Sequence, residues 1–155
     1  MIFTEQFYGE ANHADFFTDI QVAPDGGYIA VGQIQETDKS GEIYLVKFDA
    51  NGEQIFAENF GTETLDVAHA VVVLTDRYII GGSTFSAATK TNNCYLLSVS
   101  FAGELLEETT FGGNGEDIIY SMTRLSNGQI GVASTLENAL TGADINVRLY
   151  DENLN

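Results

Sequence analysis

The sequence predicts an all-β protein in which a four-stranded unit recurs three times. Asp15, Asp66 and Asp117 follow one another at intervals of 51 residues, and a fixed period of this length is typical of repeat architectures. Tight-turn sequences such as 24–27 (PDGG) and 126–128 (SNG) separate short apolar runs, as they do between strands. No segment keeps a helical periodicity for more than a turn or two.

Length and charge limit the class of protein. A chain of 155 residues suits one domain with a sizeable core. The net charge of −17 disfavours nucleic acid and anionic membranes as partners, because phosphate recognition needs clustered Lys and Arg. No apolar stretch reaches the roughly 18 residues of a spanning helix, so no membrane insertion is expected. The first residues show neither the basic nor the long apolar region of a signal peptide.

The elements of the first unit follow from its turns. Strands are expected near 17–23, 28–34, 42–49 and 53–60. The turn at 24–27 joins the first two, and the sequence Ala50-Asn51-Gly52 joins the last two as a hairpin would.

The second and third units repeat this order. Each unit begins at an aromatic–glycine step, which divides the single domain 1–155 into units at 8–60, 61–111 and 112–155. The second strand of each unit ends in a small residue, at Gly32, Gly82 and Ala133.

The third strand of the unit predicts how the sheets pack. Tyr44, Val46 and Phe48 point to one face of this strand, and Ile43 and Leu45 point to the other. A half-exposed sheet would alternate apolar with polar residues. Two apolar faces indicate a sheet held between neighbours, as a propeller blade is.

A resemblance to a known family rests on the first unit. The residues carrying it are Asp15, the stretch 25–29 (DGGYI), Gly32 and the stretch 44–52 (YLVKFDANG). This pattern resembles the bacterial repeats with a D…DGGYI..G…YLVKxDxxG signature, which are found in secreted and surface proteins and look like β-propeller blades. The resemblance implies a propeller fold and an extracellular setting. The second unit has Ser98 where the first has Lys47, the third has Leu149 there, and the chain lacks the tryptophan usual in that family.

The two ends of the chain suggest how three blades close a ring. Residues 2–7 (IFTEQF) resemble 55–60 (IFAENF), so they are expected to form the last strand of a blade. The third unit stops just after its own third strand. Because propellers need four to eight blades, we expect a homodimer in which each chain donates its first strand to the last blade of the other. The alternatives are a piece of a longer propeller and a β-trefoil-like monomer.

The repeated aspartates are the candidate metal ligands. Asp15, Asp66 and Asp117 are expected on the rim that carries the longer loops, near 35–42, 84–93 and 135–144. Calcium prefers oxygen ligands and is the cofactor such a rim would attract. The alternative is that each aspartate accepts backbone N–H groups and fixes its own loop, which the regular spacing favours.

Ligand-binding candidates on the same rim are Tyr8, His13 and Phe85, whose rings could stack on a sugar or a peptide. A packing role is the alternative for each of them. His69 lies among small apolar residues at a strand start. Cys94 is the single cysteine, so no intrachain disulfide is possible, and it is expected to be a buried thiol.

The function expected from these observations is that of a non-catalytic binding or assembly module, with a protein or a glycan as its ligand. One alternative is a hydrolase or lyase whose site lies at the acidic mouth of the channel. Another is a half-propeller that serves only as a structural building block. Neither a Ser-His-Asp arrangement nor a phosphate-binding glycine loop has support in the sequence.

Overall fold

A computed structural model of the chain describes residues 5, 14–35, 40–138 and 140–155. The described residues form eleven strands: β1 (Phe16–Val22), β2 (Tyr28–Ile34), β3 (Glu42–Phe48), β4 (Gln54–Phe60), β5 (Asp66–Val73), β6 (Arg77–Ser86), β7 (Thr91–Ser100), β8 (Leu105–Phe111), β9 (Ile118–Arg124), β10 (Ile130–Asn138) and β11 (Gly142–Tyr150). The all-β prediction is confirmed, and the four strands expected in the first unit are present within one residue at each end. None of the described residues lies in a helix long and apolar enough to cross a membrane.

The strands form three antiparallel sheets, one in each repeat unit. Sheet A has the order β1-β2-β3-β4, sheet B the order β5-β6-β7-β8, and sheet C the order β9-β10-β11. All pairing described here is between strands of the same unit, which differs from a trefoil-like barrel shared by three units. No described strand pairs with the outer edge of β11; the strand expected at 2–7 lies, apart from Glu5, outside the described residues.

The register shows which residues are equivalent in the three sheets. Tyr28 pairs with Phe48 in sheet A, Tyr78 with Val99 in sheet B, and Ile130 with Tyr150 in sheet C. In the same way Gly32 pairs with Tyr44 and Gly82 with Tyr95, whereas in sheet C Ser134 pairs with Asn146. The expected equivalence of Ala133 with Gly32 and Gly82 is therefore wrong by one residue, because the turn that precedes β10 is one residue longer than the turn that precedes β6.

Sheet B lies between the other two sheets. Its Tyr78, Ile80 and Leu97 pack against Ile29 and Leu45 of sheet A in one apolar cluster. Its Ile79, Cys94 and Leu96 pack against Ile119 and Val132 of sheet C in another. We call the face that a sheet turns toward the preceding sheet its front, and the face turned toward the following sheet its back. Alternation of side chains along each strand places neighbouring residues on opposite faces.

A β-bulge occurs at the same place in the first strand of every sheet. The bulged residues are Thr18, His69 and Tyr120, again 51 residues apart. The hydroxyl of Thr18 donates to the carbonyl of Val31 at 3.0 Å and to that of Ala68 in the next sheet at 2.8 Å. The first strand β5 lies beside both β1 and β9, and side-chain hydrogen bonds from Thr18 and to Asp19 join β1 to β5.

Close approach of the bulged strand explains two glycines of the repeat. A Cβ atom on Gly32 would lie 1.9 Å from the carbonyl oxygen of Phe16, and one on Gly82 would lie 1.9 Å from that of Val67. No side chain fits at such a distance, so glycine is required at both positions.

The lysine of the first unit is explained by the turn beneath it. The Lys47 side chain is buried, and its ammonium donates to Asp25 at 2.9 Å and to the carbonyl of Phe48 at 2.8 Å. The same carboxylate accepts the N–H of Gly27, and the hydrogen bond from Lys47 is the main reason why the pKa of Asp25 is lowered.

The other two units do not use a buried lysine to compensate a carboxylate in this turn. In the second unit Asp76 is paired with the adjacent Arg77 at the start of β6 at 2.8 Å, and Ser98 replaces the lysine. In the third unit the neutral Asn127 occupies the turn position of Asp25, and its side chain accepts the N–H of Gln129. Leu149 occupies the position of Lys47. A turn without a carboxylate needs no buried cation.

Candidate functional site

The three repeated aspartates stand at the start of the first strand of each sheet. Asp117 is buried, and its two carboxylate oxygens accept backbone N–H groups from Gly113 and Glu137, both at 2.6 Å. Asp15 accepts the N–H of Gln35 at 2.8 Å. Gln35 is the residue of the first unit that is equivalent to Glu137. A carboxylate held in this way fixes the loop before the strand and the end of the neighbouring strand together.

Asp66 is bonded differently from Asp117. Its Oδ2 atom accepts the backbone N–H of Thr62 at 2.6 Å and the Thr62 hydroxyl at 3.1 Å. Its Oδ1 atom is buried and has no hydrogen-bond partner among the described residues. The contact with the preceding loop is therefore described at Asp66 and Asp117, and the contact with the neighbouring strand end at Asp15 and Asp117.

The backbone at these aspartates also joins one sheet to the next. The N–H of Asp66 donates to the carbonyl of Gly41 at 2.8 Å, and the N–H of Asp117 donates to that of Asn92 at 2.8 Å. Gly41 directly precedes β3 and Asn92 is the second residue of β7, and the two are themselves 51 residues apart. The aspartate loops thus help to set the position of each sheet relative to its neighbour.

The described residues bring no three His, Cys, Asp or Glu side chains together as a possible metal site. Asp15, Asp66 and Asp117 belong to three different sheets. The calcium role of these residues stays a prediction.

Of the three ligand-binding candidates, the structure places Phe85. Tyr8 and His13 lie outside the described residues. Phe85 is half-buried in β6, where its carbonyl accepts the hydroxyl of Thr64 at 2.6 Å and its N–H donates to Leu65 at 2.8 Å. Its backbone therefore holds the loop before β5 against the β6–β7 hairpin, and its role in ligand binding stays a prediction.

Two of the predicted long loops are largely strand. β6 extends to Ser86 and β7 starts at Thr91, so only 87–90 remain of the expected loop 84–93. Likewise only 139–141 separate β10 from β11 within the expected loop 135–144. Polar residues such as Thr84 and Asn93 pair across the hairpin, and a polar sequence alone does not distinguish an extended hairpin from a loop.

The other reactive side chains contact neighbouring groups of the protein. Cys94 is buried, and burial raises the pKa of its thiol to about 12, so it stays protonated at neutral pH. His69 is half-buried, its ring lies 6.1 Å from that of Tyr120, and desolvation lowers its pKa. On the rim, the Glu116 carboxylate accepts the side-chain N–H of Asn92 at 2.7 Å.

The structure shows two features that the sequence reasoning missed. An open cleft of about 320 Å³ lies on the opposite rim, between the turn at 127–129 and residues 151–153. The back of sheet C carries a row of exposed apolar side chains, Ile145, Val147 and Leu149. The 51-residue period was the signal that could have located this row, since the positions equivalent to Ile145 and Val147 are core in the first two units.

No protein-family model matches the chain, and a search of the curated proteins finds no match.

Proposed function

We propose that this chain is a non-catalytic assembly module, in which three propeller-type blades form a rigid stack that binds further sheets of the same kind at its ends. The support comes from comparing equivalent positions in the three sheets. A position that is core inside the stack is exposed at the end of the stack.

This difference in exposure is seen on the back of each sheet, in the third strand. Ile43 and Cys94 are fully buried, whereas the equivalent Ile145 in sheet C is 92% exposed. Leu45 and Leu96 are likewise fully buried, and the equivalent Val147 is 69% exposed. The residues of each set are 51 apart in the sequence and lie at the same place in the third strand.

The third position of the row agrees with the first two. Leu149 is 55% exposed, while Lys47 and Ser98 at the same position are buried. A contiguous row of exposed apolar side chains is typical of an interaction face, and covering it would contribute about 25 cal/mol per Å² of apolar surface. The partner that best fits a blade-like back is a blade-like front.

A structural use of the polar groups supports a non-catalytic role. Both oxygens of Asp117 are taken by backbone N–H groups, and Cys94 is a buried, protonated thiol. These groups stabilise loops and core in the geometry that the structure gives them. A secreted or cell-surface bacterial setting is part of the proposal, and the family resemblance of the first unit supports it.

A tandem chain tests the proposal. Two copies of the sequence joined by a flexible Gly/Ser linker should unfold as one body, with a thermal midpoint above that of the single chain at low concentration. The matched control is the same tandem chain carrying Ile145→Glu and Val147→Glu in both copies, which should return to the single-chain midpoint. A tandem chain that unfolds as two independent halves would refute the proposal.

A further inference from the structure

The front of sheet A carries exposed apolar side chains along β1, whereas Ala30, Val46 and Phe48 nearer the middle of this face are buried. Ile20 is 57% exposed, while its equivalent in sheet B, Val71, is 1% exposed and packs on sheet A. The equivalent in sheet C, Met122, packs on sheet B. Val22 is 76% exposed, and its equivalent Val73 is partly buried in the same A–B cluster.

We propose that two copies of this chain associate head to tail, with the back of sheet C of each copy packed on the front of sheet A of the other. This inference rests on the proposed function and names its partner. The back of sheet C and the β1 side of the front of sheet A correspond to the two halves of an interface that the chain already forms twice, between sheets A and B and between sheets B and C. Each copy therefore continues the stacking of the other.

The interface between sheets B and C gives the residues that meet. A Cβ atom on Gly81, at the back of sheet B, would lie 2.6 Å from the sulfur of Met122, at the front of sheet C. Ala133 is the equivalent of Gly81 at the back of sheet C, and Ile20 is the equivalent of Met122 at the front of sheet A. Ala133 of one copy should therefore face Ile20 of the second copy.

Charge favours contact through these two faces. The chain carries a net charge of −17, so most approaches of two copies bring carboxylates together. The side chains that define the faces are uncharged: Ile20, Val22, Ile145, Val147 and Leu149, which are exposed, and Ala133, which is partly buried. Their contact buries no unpaired charge, which would be costly.

The number of sheets favours a dimer that closes into a ring. A front-to-back contact is heterologous, and such contacts close into a ring or continue as an open filament. Two copies supply six sheets, within the range of four to eight that closes a propeller. We infer a two-fold dimer with two identical front-to-back contacts.

A mixing experiment with the full chain tests this dimer. In sedimentation velocity the wild type should have about twice the 16.8 kDa mass of one chain. A front variant, Ile20→Lys with Val22→Lys, should be monomeric, and so should a back variant, Ile145→Glu with Val147→Glu. An equimolar mixture should regain the dimer, because one contact is then intact and the other joins lysines to glutamates.

A control variant and a fold measurement accompany the mixture. Leu105→Lys with Leu106→Lys changes exposed apolar residues at the outer edge of sheet B and should remain dimeric. Circular dichroism should show the same strand content in all variants. A front or back variant that stays dimeric while folded would overturn the inference.

A cross-link tests the orientation. The variant Ile20→Cys with Ala133→Cys should form a covalent dimer with a short bismaleimide, whereas either single-cysteine variant should not. Buried Cys94 should not react. A cross-link from Ile20→Cys alone would indicate a front-to-front dimer, and a ladder beyond the dimer would indicate an open filament; either result overturns the closed head-to-tail pair.

Failure of the dimer and failure of the proposed function give different results. A wild-type chain that is monomeric at high concentration, together with a tandem chain that unfolds as one body, rejects association of separate copies but keeps the assembly module. Two independently unfolding halves reject the module itself.

Discussion

At the scale of single residues, the carboxylates of the loop-rich rim act first as hydrogen-bond acceptors. Asp117 satisfies two backbone N–H groups while buried, and Asp66 satisfies the backbone and hydroxyl of one threonine. A buried donor that loses its acceptor costs about 1–3 kcal/mol. The two residues therefore differ in how well they should tolerate an amide.

We expect Asp117→Asn to lower the free energy of unfolding by about 1–3 kcal/mol, because the amide group can accept at only one of the two N–H groups. Asp66→Asn should cost less, since its amide nitrogen can occupy the Oδ1 position that has no described partner. Urea unfolding with and without calcium measures the change in the free energy of unfolding for both variants.

If these aspartates only fix loops, added calcium should leave the unfolding midpoint of the wild type and of both variants unchanged. A calcium-dependent rise in the wild type that either variant abolishes would support the metal role instead.

At the scale of elements, the third strands β3, β7 and β11 have the same geometry but different neighbours. Ile43 in β3 faces sheet B and is fully buried, whereas Ile145 in β11 occupies the equivalent position with 92% exposure. The stabilising effect of an apolar side chain depends on the surface that covers it, so these two isoleucines form a matched pair.

We expect Ile43→Ala to lower the free energy of unfolding by about 2–5 kcal/mol, the usual cost of a cavity in a core. Ile145→Ala should change it by no more than about 0.5 kcal/mol at low protein concentration, as at other surface sites. At high concentration Ile145→Ala should weaken the dimer. Equal costs of the two substitutions at low concentration would contradict the assigned burial of sheet C.

At the scale of the whole molecule, repulsion between the acidic chains opposes the formation of the dimer. Each chain carries a charge of −17, so a dimer brings like charges together while it covers apolar faces. Salt shortens the range of this repulsion, from about 30 Å at 0.01 M to about 8 Å at 0.15 M. The apolar contact itself is far less sensitive to salt.

We expect the dissociation constant of the dimer to fall several-fold between about 0.01 M and about 0.15 M salt. Sedimentation equilibrium across that range measures it, and the back variant should remain monomeric throughout. Dissociation on adding salt would mean that ion pairs hold the copies together, contrary to the apolar contact proposed here.

The sequence by itself determined the local and periodic features of this protein. The 51-residue spacing, the turn at 24–27 and the two-faced third strand predicted the three units and, in the first unit, all four strands, because turn chemistry and side-chain alternation depend on neighbouring residues. The spacing of the aspartates allowed two interpretations: that they accept backbone N–H groups, or that they bind calcium.

Only the tertiary structure decided the features that depend on distant contacts. It gave the equivalence of Ser134 with Gly32, the length of the β6–β7 hairpin and the incomplete bonding of Asp66. Above all, it showed that Ile43 and Ile145 have opposite burial. Burial is set by the sheet that lies opposite, and one repeat cannot reveal whether another covers it.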